Sequence, residues 1–171
     1  MNKKVKISAI VLLGMLAITS CGKKDTTTTE SSEINQTEDS ESQAEVVSND
    51  LVIEGNDQMQ FNKAELRATA GKPITLTLKH VGQIPKEAMG HNLVILQEGT
   101  DEAAFAAKAI TAKETDYIPA SEKVSIIAHT KLLGGGEEDT IQFTIDKKGT
   151  YNFLCTFPGH VAMMKGVLIV E

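Results

Sequence analysis

Cys155-Thr156-Phe157-Pro158-Gly159-His160-Val161-Ala162-Met163-Met164 is the stretch on which the reading of this chain turns. It puts a thiol, an imidazole and thioethers inside one short loop. Thiolate and thioether favour Cu(I), while imidazole serves both Cu(I) and Cu(II), so the set suits copper. Pro158 and Gly159 supply the bend that a five-residue spacing from Cys155 to His160 requires. A second imidazole would complete a site of two His, one Cys and a weakly bound Met. His91 is the candidate, since it follows Met89 and Gly90 and opens the apolar run Asn92 to Leu96. His80 and His129 are the two other histidines, and neither sits in a run of ligand type. Zinc is the competing metal, but a structural zinc site normally uses four strong Cys or His donors, and this set offers three and a thioether.

Outward from that loop the pattern is one of short strands. Pro73 to His80 alternates, with Ile74, Leu76 and Leu78 on one face and Thr75, Thr77 and Lys79 on the other, which is the signature of a half-buried strand. Leu51 to Glu54 begins the pattern, and Gly55, Asn56 and Asp57 mark a turn that presents Gln58 and Met59. Further strands are predicted at Asn92 to Leu96, Lys123 to Ile127, Thr140 to Ile145, Tyr151 to Cys155 and Val167 to Val170. Many short strands separated by turn residues predict an all-β sandwich. One segment departs from this. Asp101 to Ile110 has an acidic first turn, several alanines and no β-branched residue before Ile110, so a short helix is predicted there. Gly134 to Gly136 reads as a loop; no Gly-Lys-Ser/Thr follows to make it a phosphate cradle.

Length and composition allow one domain of about 120 residues, large enough to bury a real core, preceded by an extension. Trp is absent and aromatics are few, so the core rests on Ile, Leu, Val, Phe and Met. Lys3, Lys4 and Lys6 precede an apolar run from Ile7 to Ile18, too short to span a bilayer comfortably, which reads as an export signal. It ends in Ile18-Thr19-Ser20-Cys21, resembling a bacterial lipobox, in which the cysteine becomes an acylated N-terminus. Residues 1–21 are therefore expected to be a lipoprotein signal ending at Cys21, with several acyl chains anchoring the protein stably where a single chain would bind only marginally. Residues 22–50 carry eight acids against two Lys and no aromatic residue, a composition that cannot bury enough apolar surface to fold, and read as a tether. Residues 51–171 form the domain. Two Cys in an exported chain ordinarily suggest a disulfide, but Cys21 stands at a cleavage site and Cys155 in a metal-type loop. The net charge of −6 owes much to the tether, so nucleic-acid binding is unsupported.

Four separated runs, Gly55 to Phe61 (GNDQMQF), Met89 to Asn92 (MGHN), Ala128 to Leu132 (AHTKL) and Cys155 to His160 (CTFPGH), with Met164 and Gly166 in register, carry a resemblance. Over Leu51 to Glu171 the chain resembles the azurins, blue-copper cupredoxins, and among them the lipid-modified form. The resemblance implies a Greek-key β-sandwich with one helical flap outside it. It implies His91, Cys155, His160 and Met164 as metal ligands, choosing Met164 over Met163, with the backbone carbonyl of Gly90 approaching weakly. Amides matching Asn92 and Phe157 would hydrogen-bond the thiolate. Apart from the resemblance, His80 reads as a structural or proton-linked histidine beside the site and His129 as an exposed one. Around His160 an apolar patch for electron entry would comprise Met59, Ile84, Ala88, Met89, Phe157, Pro158 and Met163. The family's disulfide would fall near Asn49 and Gly71, and this chain lacks it.

The function expected is single-electron transfer by one copper ion cycling between Cu(I) and Cu(II). Partners would be redox proteins such as cytochromes or copper and haem reductases, met by a monomer or weak transient dimer in the periplasm or at the cell surface. An enzyme is not expected: no second His cluster exists for a catalytic copper, and a Cys-His hydrolase lacks a group to orient its imidazole. Copper delivery or storage, which favours exposed and exchangeable Met ligands, is the alternative.

Overall fold

The computed structural model describes residues 47–171, so the expected signal peptide, Cys21 and most of the tether lie outside the described residues. Among the described residues nine strands make two sheets. The first contains β1 (Asp50–Asn56), β2 (Gln60–Phe61), β4 (Pro73–His80) and β7 (Glu138–Thr144), in the order β2-β1-β4-β7. The second contains β3 (Glu65–Ala68), β5 (Val94–Leu96), β6 (Ile126–His129), β8 (Gly149–Leu154) and β9 (Lys165–Val170), in the order β3-β9-β8-β5-β6. β1 runs parallel to β4 and β3 parallel to β9, while the other pairings are antiparallel. Because strands adjacent in sequence repeatedly pair elsewhere, the chain passes back and forth between the sheets, as the predicted β-sandwich requires.

Strict alternation builds the core. The inward residues of β4, Ile74, Leu76 and Leu78, are fully buried and meet Leu51 and Ile53 of β1 and Leu66, Phe153 and Leu168 of the opposite sheet. Fully burying such a side chain contributes about 1.5–3 kcal/mol, so this layer dominates stability. A second, smaller cluster of Val94, Leu96, Phe105 and Leu154 seats helix α2 (Glu102–Ala109) on the sandwich. Asp101 caps that helix, its Oδ1 accepting from the amides of Ala103 and Ala104. Helix α2 and the turns after it, up to Ile118, form the flap.

Three expectations need correction. Of Lys123 to Ile127 only Ile126 and Ile127 are strand: Ala120–Ser125 forms 3-10 turns and β6 begins only at Ile126. Val124, before the strand, is 87% exposed. Asn92 and Leu93 stand outside β5, because their polar groups bond sideways: Leu93 N–H donates to Thr130 Oγ1 and the Asn92 side chain enters the metal loop. The turn after β1 spans Asn56 to Met59 rather than starting at Gly55, which is still in the strand. A one-turn helix α1 (Lys86–Met89) and the short strands β2 and β3 were not anticipated.

At the place where the resembled family has its disulfide, the Asn49 amide spans the gap. Its Oδ1 accepts from Thr69 N–H at 3.1 Å, and its Nδ2 donates to the carbonyl of Pro73 at 3.2 Å.

Candidate metal centre

The centre sits at one end of the sandwich. β1 delivers Asn56 to that end, β8 delivers Cys155 just past its last residue, and β9 starts just after Met164. The Cys155 amide donates to the Met164 carbonyl at 2.9 Å, closing the base of the loop. At its tip Gly159 has φ 85°, a left-handed value that favours glycine, and the 3-10 turn His160–Ala162 brings the chain back. His91 comes from a separate segment, tied to Leu133 by amide-carbonyl bonds in both directions.

The result is a buried donor cluster. One ligand atom from each of His91, Cys155 and His160 lies within 4.8 Å of the others. Cys155 is fully buried, as is His91, and His160 is 2% exposed. His160 Nδ1 stands 3.7 Å from Cys155 Sγ, and the Gly90 carbonyl oxygen 3.9 Å from the same sulfur. His91 Nε2 is engaged with the Asn56 carbonyl at 2.9 Å, so that nitrogen carries the proton. Its Nδ1 is then an acceptor, and among the described residues it is the one buried side-chain nitrogen or oxygen with no hydrogen-bond partner. A buried lone pair left unsatisfied beside a thiol and a second imidazole is what a metal ion would complete.

Met164 and Met163 are sharply different. Met164 is fully buried and Met163 58% exposed. A Cβ placed on Gly55 would meet His91 Cδ2 at 2.9 Å and the Met164 methyl at 3.2 Å, so Gly55 leaves room for both side chains to converge. Gly90 is equally confined, its would-be Cβ lying 2.6 Å from the Lys86 carbonyl.

Burial governs the protonation of the metal-free centre. It pushes the Cys155 thiol up to about 11, against the downward pull of the Asn92 and Phe157 backbone N–H groups. Burial likewise pushes His160 down to about 4, helped by repulsion from His91 and His80, and holds His91 below its ordinary value. The two imidazoles are therefore neutral at pH 7 and available as ligands, and the thiol must lose its proton to a metal.

Around this cluster stand Asn92 and His80, both singled out in the sequence, and Thr156, Asp57 and Tyr117, which had no role at the site assigned to them from the sequence. Asn92 Oδ1 accepts from the Thr156 amide at 2.9 Å and its Nδ2 donates to Thr156 Oγ1 at 2.7 Å, locking the His91 segment to the metal loop. Asp57 accepts from the amides of Gln83 and Ile84 and sits 3.2 Å from His80 Nε2. Those bonds, that of Gln83 first, hold its carboxyl below the usual range. Asp57 lies inside the GNDQMQF run, which was its available signal; Tyr117, packed edge-on against Phe157 at 5.2 Å, had none. His80 is buried with its ring centre 4.1 Å from that of His91, and His129 is exposed. Of the apolar patch, Met59 and Met163 are 37% and 58% exposed, Ala88 is exposed, and Ile84, Met89, Phe157 and Pro158 are half-buried. His160 lies beneath, its ring 4.7 Å from that of Phe157.

A family model described as copper binding proteins, plastocyanin/azurin family, matches residues 47–171. An azurin of Alcaligenes faecalis is 44% identical over 124 residues, covering 70% of this chain and 95% of that protein. The outer membrane protein H.8 of Neisseria gonorrhoeae is 44% identical over 117 residues, 67% of this chain, and the match spans only 63% of that protein's length. Among solved structures, a reduced auracyanin from Roseiflexus castenholzii has a TM-score of 0.66 at 39% identity, over 74% of this chain and 99% of that one.

Proposed function

Because this chain belongs to the plastocyanin/azurin family of copper-binding proteins, we propose that it is a mononuclear blue copper protein that shuttles single electrons between redox proteins at the cell envelope. His91 Nδ1, Cys155 Sγ and His160 Nδ1 would hold the copper, with Met164 a weak donor and the Gly90 carbonyl a weaker one. Copper, when bound, supplies the one-electron couple between Cu(I) and Cu(II). The chain's own contribution is rigidity: the ligands come from separate segments locked together by Asn92 and Thr156, so little moves when charge changes. The observation that carries the reading is the buried His91-Cys155-His160 cluster with its one unpartnered nitrogen.

The burial of all three donors also weighs against copper delivery, which needs exchangeable ligands, although the exposed thioethers of Met59 and Met163 keep that second reading in view. A slow metal-exchange rate favours the carrier. Anchoring through an acylated Cys21 agrees with the name of the Neisseria relative, an outer membrane protein. Cytochromes or copper and haem reductases are the partners proposed, docking at the patch over His160 as a monomer's small, transient interface.

The test is a titration of the purified chain with Cu(II). An intense blue charge-transfer band from thiolate to copper should grow to one equivalent, and Cys155→Ser should remain folded and lose it. No band in the wild type, or a blue Cys155→Ser protein, sinks the reading.

A further inference from the structure

The flap ends in an unusual turn. Asp116 and Tyr117 both have positive φ, 53° and 62°, although each carries a full side chain. Two successive residues in the left-handed region are strained, and such backbone persists only where its surroundings over-determine it. The bonds that hold this turn lead to the metal loop. The Asp116 carbonyl accepts from Asn92 Nδ2 at 3.1 Å. The Tyr117 ring, 8% exposed, packs edge-on against Phe157 with centroids 5.2 Å apart. The Tyr117 amide is anchored to the Ala112 carbonyl at 2.9 Å.

Asn92 and Phe157 are the two residues whose backbone N–H groups pull the Cys155 thiol down against burial, and the same sulfur stands 3.9 Å from the carbonyl of Gly90, two residues before Asn92. The turn therefore reaches both Asn92 and Phe157 at once, Asn92 through a side-chain hydrogen bond and Phe157 through a ring contact. We propose that the Asp116-Tyr117 turn is a positioning device that keeps the Asn92 and Phe157 amides aimed at the Cys155 sulfur and so helps to set the reduction potential. The effect on potential rests on the copper-carrier reading; the positioning itself does not. N–H donors draw charge from a thiolate, which weakens its donation to Cu(II) and favours Cu(I). A loosened turn shifts the balance toward Cu(II).

Tyr117→Ala, Tyr117→Phe and Asp116→Gly separate positioning from mere cover. In the metal-free protein, NMR should show the Asn92 and Phe157 amides exchanging with solvent about tenfold faster in Tyr117→Ala. In the copper-loaded protein, its equilibrium with a reference redox couple should move about threefold toward Cu(II), or about 30 mV for one electron. Tyr117→Phe keeps the ring contact and should match the wild type in both. So should Asp116→Gly, which keeps the carbonyl and tolerates the positive φ. If Tyr117→Ala does not fold, Tyr117→Leu, which fills the space without an aromatic edge, takes its place with the same expected shifts. A folded Tyr117→Ala, or Tyr117→Leu in its place, with wild-type amide exchange and wild-type redox equilibrium overturns the proposal, as does Tyr117→Phe behaving like Tyr117→Ala. Should the wild type form no blue centre, the carrier reading falls, and amide exchange in the metal-free protein still decides whether the turn positions the loop.

Discussion

Met163 and Met164 are neighbours with the same side chain and opposite surroundings, one 58% exposed and the other fully buried beside His91. Met164→Leu should therefore retain copper and raise its potential, because losing a weak donor disfavours Cu(II), whereas Met163→Leu should leave the potential near the wild-type value. Voltammetry of the two variants distinguishes them, and the reverse pattern means the ligand is Met163. Protonation gives a second expectation at these residues. His160 has a folded value of about 4 against an ordinary 6.5, so below pH 6.5 the unfolded chain binds a proton that the folded chain refuses. Stability of the metal-free protein should fall as pH drops from 6.5 toward 4, by up to about 1.4 kcal/mol per pH unit. Cys155, raised from 9.0 to about 11, works at the other end: as pH rises from 9 to 11 the unfolded thiol ionises first, and stability falls again. Urea midpoints should thus form a plateau between pH 6.5 and 9, and equal midpoints at pH 4.5 and 7.5 would show that His160 is not held neutral by the fold.

Each element contributes to the site in a way its own sequence only partly signals. The helix at Glu102–Ala109 was legible because alanine content and an acidic cap act locally, within one turn of backbone. Asp101→Ala should cost about 1 kcal/mol, read from the urea midpoint, since two orphan amides lose their acceptor. A variant as stable as the wild type would show that packing of Phe105, not the cap, holds the helix. Likewise β4 was visible from end to end, because its alternation reports one buried face. The 3-10 turns at Ala120–Ser125 were not visible, because none of their residues is buried and no periodic apolar face marks them. Strand β3 passed unnoticed for a related reason: it is only four residues long and has a salt-bridged Arg67 at its centre. Near its end, the loop at Thr69 to Pro73 is held by Asn49, an arrangement of hydrogen bonds where the resembled family uses a covalent link.

Across the domain, the polypeptide enters at Asp50 and β1 carries it to Asn56 beside His91, so the metal end lies about 20 Å from the point of entry. The patch around His160 lies at this metal end. The domain has only a modest acidic excess, so apolar contact at this patch should outweigh long-range steering, and partner transfer should depend weakly on salt. Met89→Lys should slow electron self-exchange, measured by NMR line broadening, at least several-fold while leaving the blue band nearly intact. Self-exchange at the wild-type rate with an unchanged spectrum would move the port of entry elsewhere.

The sequence by itself determined the class of fold and pointed to the donors of the loop. Cys155, His160 and the Met pair share one short loop, and period-two alternation is a local property of each strand, so neither needed coordinates. That His91 joins them was implied by its run and by resemblance, and the tertiary structure brought its ring to the loop. Only the tertiary structure decided which of two adjacent thioethers is buried, that Asn92 bonds both Thr156 and the flap, that Asp57 faces His80, and that Tyr117 leans on Phe157. These are contacts between residues tens of positions apart, and they depend on sheet pairing and on backbone angles such as those of Asp116 and Tyr117, which no local pattern of residue types encodes.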